Sequence, residues 1–377
     1  MEKFKIIHVA LGKANPKRQN GVNKMIYELA TTQTKLGFDV EFWGITKNTT
    51  LNFAPRAFHT ELFTDQKNKF KLDQALIQAI TDLKNTNETC IFHLHGGFTP
   101  QLIQVALYLV KQGFNYVLTP HGAYNEIAIK RSLLKKKVFF YFYEKKHIQQ
   151  AAIVHLLGET EVIGLKKLNR NKPFCLIPNG QIPIELNAKN EQKKIRFGYV
   201  GRLDSYGKGL VELLNGFSLM TSSKEKFFEL HFIGDGTDRQ SLEYLSEKLE
   251  ISDKVFFHGA LFGDSKWEKM ASFNALVLPS RGEGIPGVVL EALSLGIPAI
   301  VSKETNLSNV IVNYNAGLEL KNITPKTISE AFVEFTSWDE KKQIDSSENA
   351  KKLIEKEFNW LKIADKILTI YSSVLNK

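Results

Sequence analysis

Residues 279–302, PSRGEGIPGVVLEALSLGIPAIVS, set two carboxylates, Glu283 and Glu291, eight positions apart around a glycine-rich turn. An apolar run ends at Pro279 and Gly282-Glu283-Gly284 follows; Pro286 suits the first residue of a helix that runs through Glu291 to Gly296. A helix N-terminus behind glycines offers unpaired N–H groups and a positive dipole end, a setting for a phosphate or a sugar hydroxyl. With Glu283 in the loop and Glu291 two turns into the helix, the carboxylates stand about 10 Å apart at the helical rise per residue. Retaining glycosidases hold their pair at roughly 5 Å. Two separate hydroxyl-binding tasks fit better, one on a transferred sugar and one on a nucleotide ribose. The structural alternative is a surface loop glutamate and a solvated helix glutamate.

A second cluster lies at 197–210, FGYVGRLDSYGKGL. A strand pattern ends in Gly201, Arg202 follows directly, and Lys208 sits between Gly207 and Gly209 just before a helix. Two cations at the mouth of a sheet can clamp a diphosphate and stabilise charge growing on it as a bond to it breaks. Arg supplies a planar fork and Lys a point charge; two exposed loop cations are the plain alternative. A third candidate is His121, after an apolar strand and before Gly122, where a hydrogen-bonded structural histidine is the competing reading. His93, His95 and His155 read as strand histidines facing a polar layer, with His95, before Gly96-Gly97, the one expected to line an acceptor site.

These residues need a frame. Apolar runs at 5–11, 39–44, 90–95, 115–119, 153–157 and 174–177 alternate with helical stretches, and a second series starts at 195–201 and continues at 228–233, 254–258, 274–279 and 297–302. Short buried strands alternating with helices specify parallel sheets covered on both faces. Two series in 377 residues predict two doubly wound α/β domains. The hinge is expected near 178–194 and the region 325–377 is expected to be helical. Ligands bind outside the C-terminal ends of such strands, so the loops after them, and a cleft faced by both domains, are the expected site.

The net charge is +10. Residues 1–182 hold 25 Lys/Arg and 13 Asp/Glu, while the remainder holds 25 and 27, so the excess lies in the N-terminal half. That points to an anionic partner. Residues 130–146, KRSLLKKKVFFYFYEKK, concentrate seven cations beside aromatics. The expected division is core packing for VFFYFY and contact with an anionic surface through Lys135–Lys137. No run reaches the length of a membrane span, and the N-terminus lacks the apolar core of a signal peptide. Cys90 and Cys175 sit in apolar strand patterns and read as buried thiols in a reducing compartment. The expected location is cytoplasmic, membrane-peripheral on the cytoplasmic face.

GRLDSYGKG together with EGIPGVVLEALSLGIPAIVS strongly resembles glycosyltransferase family 4, the large retaining GT-B family. IPNG at 177–180, FIGDGTDRQSLE at 232–243, FFHGAL at 256–261 and LPSRGEG at 278–284 agree, and HLHGGF (93–98) and TPHGAYNEIAIKRSLLKKK (119–137) resemble bacterial polysaccharide-assembly members. The likeness covers roughly residues 5–320. It implies a GT-B fold, two Rossmann-like domains facing a central cleft: an acceptor domain at 1–182, a nucleotide-sugar domain at 183–355, and a C-terminal helix at 356–377 packing back on the first. By the same resemblance, Glu291 holds the ribose hydroxyls, Glu283 binds the donor sugar, and Arg202 and Lys208 grip the pyrophosphate beside Gly201. Backbone N–H groups around Gly284, Gly287 and Val288 contact sugar or phosphate, His121 lies near the anomeric centre, and Gly21 lets the backbone approach the phosphate. The usual Gly-Gly is Asn20-Gly21 here.

The implied activity is transfer of a hexose-type sugar from a UDP- or GDP-sugar to a hydroxyl of a glycan or lipid-linked glycan. The partners are that donor and acceptor, with no nucleic acid. No metal or other cofactor is expected, in keeping with the lack of an Asp-x-Asp motif. Alternatives are a nucleotide-sugar epimerase of the same fold or a non-catalytic sugar-nucleotide-binding subunit. A dehydrogenase is disfavoured because Gly234-Asp235-Gly236 lacks the third glycine of the dinucleotide fingerprint.

Overall fold

The computed structural model describes residues 3–15, 21–86, 88–125, 128–129, 133–169, 171–186, 194–221 and 228–376. The chain forms two units, one of Met1–Gly180 with Trp360–Lys377, the other of Gln181–Asn359. The divisions fall at Gly180 and Asn359, against the expected 182 and 355. Both units are parallel-sheet α/β Rossmann-like folds of the GT-B class.

The first unit is a seven-stranded parallel sheet in the order β3-β2-β1-β4-β5-β6-β7. Its strands are β1 (Lys5–Leu11), β2 (Asp39–Thr46), β3 (His59–Thr64), β4 (Cys90–His95), β5 (Tyr116–Thr119), β6 (Ile153–Leu156) and β7 (Phe174–Leu176). The helices between them include α1 (Gly21–Lys35), α2 (Gln74–Thr86) and α3 (Pro100–Gln112). Sequence order reverses direction between β1 and β4, which opens a crevice at their C-terminal ends. β3 was not expected, because HTELFT is an edge strand with one buried residue and carries no apolar run. Cys90 is buried and Cys175 half-buried; both are free, and burial pushes each thiol up to about 12.

The basic segment departs from expectation. α4 (Leu133–Phe139) passes through a π-helical turn (Phe140–Glu144) into α5 (Lys145–Gln150). The inward face belongs to Glu144, His147 and Ile148. Glu144 is fully buried and accepts a hydrogen bond from the Tyr124 hydroxyl. Of VFFYFY, Phe140 packs against the core, whereas Val138, Tyr141 and Phe142 are 59%, 71% and 66% exposed, so the expected core packing holds for only part of the aromatic centre. Lys136 turns back onto the Ala128 carbonyl and lies 5.1 Å from the Phe98 ring centre, whereas Lys137, Lys145 and Lys146 are exposed. Residues 130–132 and the side chains of 133–135, including Lys135, lie outside the described residues.

After α6 (Glu159–Leu168), the second unit holds six parallel strands in the order β10-β9-β8-β11-β12-β13. These are β8 (Ile195–Val200), β9 (Phe228–Ile233), β10 (Val255–Phe257), β11 (Ala275–Leu278), β12 (Ala299–Ser302) and β13 (Gly317–Leu320). Here the order reverses between β8 and β11. Its helices are α7 (Leu210–Thr221), α8 (Arg239–Lys248), α9 (Gly263–Met270), α10 (Gly287–Ser294), α11 (Ser308–Asn313), α12 (Pro325–Thr336) and α13 (Glu340–Glu357). Gly198 lets Phe273 pack flat on β8, since a Cβ there would lie 2.0 Å from the ring.

The last helix, α14 (Trp360–Leu375), is a built-in part of the first unit. Trp360, Ile363, Ile367 and Tyr371 pack with Ile6, Ile91 and Val117 on one face of the sheet. The Trp360 indole donates to Glu28 at 2.7 Å, and its ring fills the space a Cβ on Gly180 would need. Trp360→Ala removes a buried aromatic and the indole donor to the Glu28 carboxylate. We expect it to destabilise the chain by about 3–5 kcal/mol in urea unfolding; a cost under about 1 kcal/mol means that α14 is not part of the core.

Candidate active site

At the switch point of the second unit, three loops converge because glycines remove the side chains that would hold them apart. Gly201, after β8, has φ 155°, and a Cβ on Gly234 would lie 1.9 Å from the Gly201 carbonyl. Gly209 has φ 66°, and a Cβ there would meet the Pro279 carbonyl at 2.3 Å. The loops after β8, β9 and β11 are therefore in backbone contact.

This packing brings Lys208 and Glu283, 75 residues apart in sequence, into a direct ion pair. Ser280 donates to the same Glu283 oxygen at 2.7 Å. The loop is fixed from β12's end: Glu283 N–H donates to the Glu304 carbonyl at 3.1 Å, and the Asn306 amide donates to the carbonyls of Glu283 and Gly284 at 3.0 and 2.6 Å. Arg202 stands at the same mouth, its side chain 69% exposed and its carbonyl held by the Tyr199 hydroxyl at 2.8 Å.

Pro286 is the N-cap of α10, with extended backbone, and Gly287 is the first helical residue. The expectation that Pro286 starts the helix is corrected by one position, and Glu291 lies about one turn in, not two. The helix start has no side-chain cap, and a Cβ on exposed Gly287 would meet nothing within 4 Å. Glu291 is 3% exposed and pairs with Lys266 of α9 at 2.6 Å. It is thus not a solvated helix residue. Lys266, Ser280 and Asn306 were not singled out from sequence; Lys266 and Asn306 lie in segments with no local motif, and Ser280, although inside the 279–302 motif, becomes relevant only through its contact with Glu283.

In the first unit, His121 follows β5 in a left-handed conformation, φ 52°, that a non-glycine residue adopts only when held. Gly122, φ 83°, donates its N–H to Glu161 of α6, whose other oxygen accepts the Leu157 N–H at 3.0 Å. Glu161 is fully buried, and burial raises its pKa to about 7 against the opposing effect of these N–H groups. Gly21 opens α1 and is exposed, with nothing within 4 Å of a Cβ. Asn20 lies outside the described residues.

His121 Nε2 lies 3.0 Å from His95 Nδ1, and His95 Nε2 lies 2.9 Å from His8 Nδ1. His8 Nε2 meets Gln33 Oε1 at 2.7 Å. A second row runs from the Tyr371 hydroxyl to His93 (2.5 Å), Thr119 (2.6 Å), His155 (2.9 Å) and the Ile177 carbonyl (2.8 Å). His8 pairs His93 across β1–β4 and His95 pairs Thr119 across β4–β5, so strand alternation puts all of them on the face covered by α1 and α14. His95 is 3% exposed beneath His121 and reaches no ligand directly, which corrects its expected place lining an acceptor site. His8, His93 and His95 each place a nitrogen within 4.8 Å of the others, a span a metal could bridge, but both nitrogens of each ring already have protein partners. Burial lowers the pKa of His8 and His155 to about 4 and holds His93, His95 and His121 well below the ordinary value, so all five rings are neutral at pH 7.

Residues 183–353 match the family described as Glycosyl transferases group 1. The lipopolysaccharide 1,6-galactosyltransferase of Salmonella typhimurium is 37% identical over 111 residues, which is 28% of this chain and 29% of that protein. The match thus spans less than a third of that curated relative's length. Among solved structures, sucrose-phosphate synthase from Thermosynechococcus elongatus superposes with a TM-score of 0.77 at 18% identity, covering 99% of this chain and 100% of that one. Anabaena HepE in complex with UDP and glucose gives 0.74 at 15% identity, covering 98% and 100%.

The buried imidazoles predict an acid-labile first unit. A histidine whose folded pKa is depressed contributes stability that is full above about 6.5 and lost as pH falls toward the folded value. Glu144 and Glu161, raised to about 7, act the opposite way, with their stability full at low pH and lost as pH rises through 7. The readout is therefore the stability difference between the wild type and His8→Gln. It should shrink by on the order of 3 kcal/mol between pH 7.5 and 4, matching a shift of His8 from 6.5 to about 4. A constant difference across that window contradicts a neutral buried His8.

Proposed function

We propose that this chain is a retaining glycosyltransferase. It moves a hexose-type sugar from a UDP- or GDP-sugar to a hydroxyl of a glycan or lipid-linked glycan, in polysaccharide or lipopolysaccharide assembly. The observation that carries the reading is the Lys208–Glu283 ion pair beside Arg202 at a sheet switch point, in front of an uncapped helix N-terminus. It combines cations for a diphosphate with a carboxylate for sugar hydroxyls. The family match over 183–353 and the UDP in the HepE structure support a nucleotide-sugar donor.

In this reading the diphosphate sits on Arg202, Lys208 and the N–H groups of Gly287 and Val288. Glu291, braced by Lys266, takes the ribose hydroxyls. Glu283 takes hydroxyls of the transferred sugar, and in the first unit His121 offers its ring to a sugar hydroxyl. The bond from the anomeric carbon to the phosphate oxygen breaks as the acceptor oxygen attacks from the same face. The acceptor's proton passes to the departing phosphate oxygen. The protein supplies position and charge, with the two cations in the role a metal fills elsewhere.

The charged segment is assigned to a membrane. Among the described residues no helix is long and apolar enough to cross one. Exposed Tyr141 and Phe142 next to exposed Lys137, Lys145 and Lys146 support peripheral contact with an anionic surface, and the cytoplasmic face is the location proposed for it.

Arg202→Ala should lower turnover about 10²–10³-fold, the effect of removing one donor from developing charge. Glu291→Ala and Lys266→Ala should instead weaken nucleotide binding in a thermal-shift titration, and chelator should change neither binding nor turnover. Unchanged turnover in Arg202→Ala sinks the role given to that residue. Tyr141→Ala with Phe142→Ala should reduce sedimentation with phosphatidylglycerol vesicles several-fold; equal sedimentation removes the membrane assignment.

A further inference from the structure

The hydrogen-bonded rows in the first unit carry directional information, because a neutral imidazole has one donor and one acceptor nitrogen and each bond fixes the next. The second row is set by a carbonyl. The Ile177 carbonyl only accepts, so His155 carries its proton on Nε2 and accepts at Nδ1 from the Thr119 hydroxyl. Thr119 has one proton to give, so it accepts from His93 Nε2–H, and His93 Nδ1 accepts from Tyr371. The first row is set by Gln33, whose Oε1 faces His8 Nε2. The amide stands with Oε1 toward His8, and its nitrogen has no hydrogen-bond partner among the described residues. His8 therefore protonates Nε2 and accepts at Nδ1 from His95 Nε2–H; His95 Nδ1 then accepts from His121 Nε2–H.

We infer that Gln33, His8 and His95 are positioning residues that hold His121 as the Nε2–H tautomer. His121 Nδ1 is left as a hydrogen-bond acceptor for a hydroxyl of a bound sugar. Three observations support the outcome. His121 is the end of the row, and its Nδ1 has no partner among the described residues. His121 is half-buried, whereas His8 and His95 beneath it are buried. Its backbone is pinned in a left-handed conformation by Gly122 and Glu161, so the ring's direction is set independently of its tautomer. A neutral acceptor at this place takes a proton-donating hydroxyl and turns away an N–H tautomer's ligands, carbonyl and phosphate oxygens. That the hydroxyl belongs to a sugar rests on the glycosyltransferase reading.

The test is long-range proton–nitrogen correlation NMR of the full chain labelled with ¹⁵N-histidine at pH 7. The expected wild-type spectrum shows His121, His95 and His8 each protonated at Nε2 and bare at Nδ1. Gln33→Met, on α1 and away from any ligand, removes the anchoring acceptor. His121 should then become a mixture of tautomers, and turnover should fall about tenfold, the effect of one hydrogen bond, with UDP or GDP binding unchanged. A wild-type His121 protonated at Nδ1, or an unaltered His121 in Gln33→Met, overturns the inference; the first needs no variant to fold. A correct tautomer in a chain with no transfer activity upholds the relay and removes the functional reading instead.

Discussion

Everything in this protein that can do chemistry depends on one constraint of parallel sheets. All strands point the same way, so all their following loops gather at one edge. Where sequence order reverses, neighbouring connections run to opposite faces and leave a crevice. The reversals fall between β8 and β11 in one unit and between β1 and β4 in the other. Arg202 and Lys208 follow β8, Ser280 and Glu283 follow β11, His8 is on β1, and His93 and His95 end β4. Each unit has thus concentrated its polar side chains at the one edge where apolar packing must stop.

The two units handle polarity differently. In the second, opposite charges are paired: Lys208 with Glu283 and Lys266 with Glu291. In the first, buried polarity is neutral. A row of charged groups under α1 and α14 would be expensive, whereas neutral imidazoles satisfy one another and still transmit direction. The C-terminal helix closes this arrangement, since Tyr371 supplies the first proton of one row.

Much of this was legible in the residues. The strands of both central sheets announce themselves as short apolar runs, and the loops at 201–209 and 282–287 by their glycines, of which Gly201 and Gly209 prove to be points of close backbone approach. What was not legible has physical reasons. β3 and β13 are short edge strands with partly exposed residues. VFFYFY looks like core by composition, but in the π-helical turn Glu144 is buried and Phe140 packs inward while Tyr141, Phe142 and Tyr143 stay exposed. His8, His95 and His121 are spread over more than 100 positions, and only the strand alternation of His93 and His95 hinted at a shared face. Lys266 and Glu161 act through carboxylate contacts that no local spacing records.

The central claim is that the second unit's switch point binds a nucleoside-diphosphate sugar. The most direct measurement is a crystal structure grown with a UDP-hexose and, in parallel, a GDP-hexose. The account predicts the diphosphate against Arg202 and Lys208, ribose hydroxyls on Glu291, and Lys208 turned from Glu283 toward phosphate. A nucleotide bound elsewhere, with the Lys208–Glu283 pair intact, would contradict it.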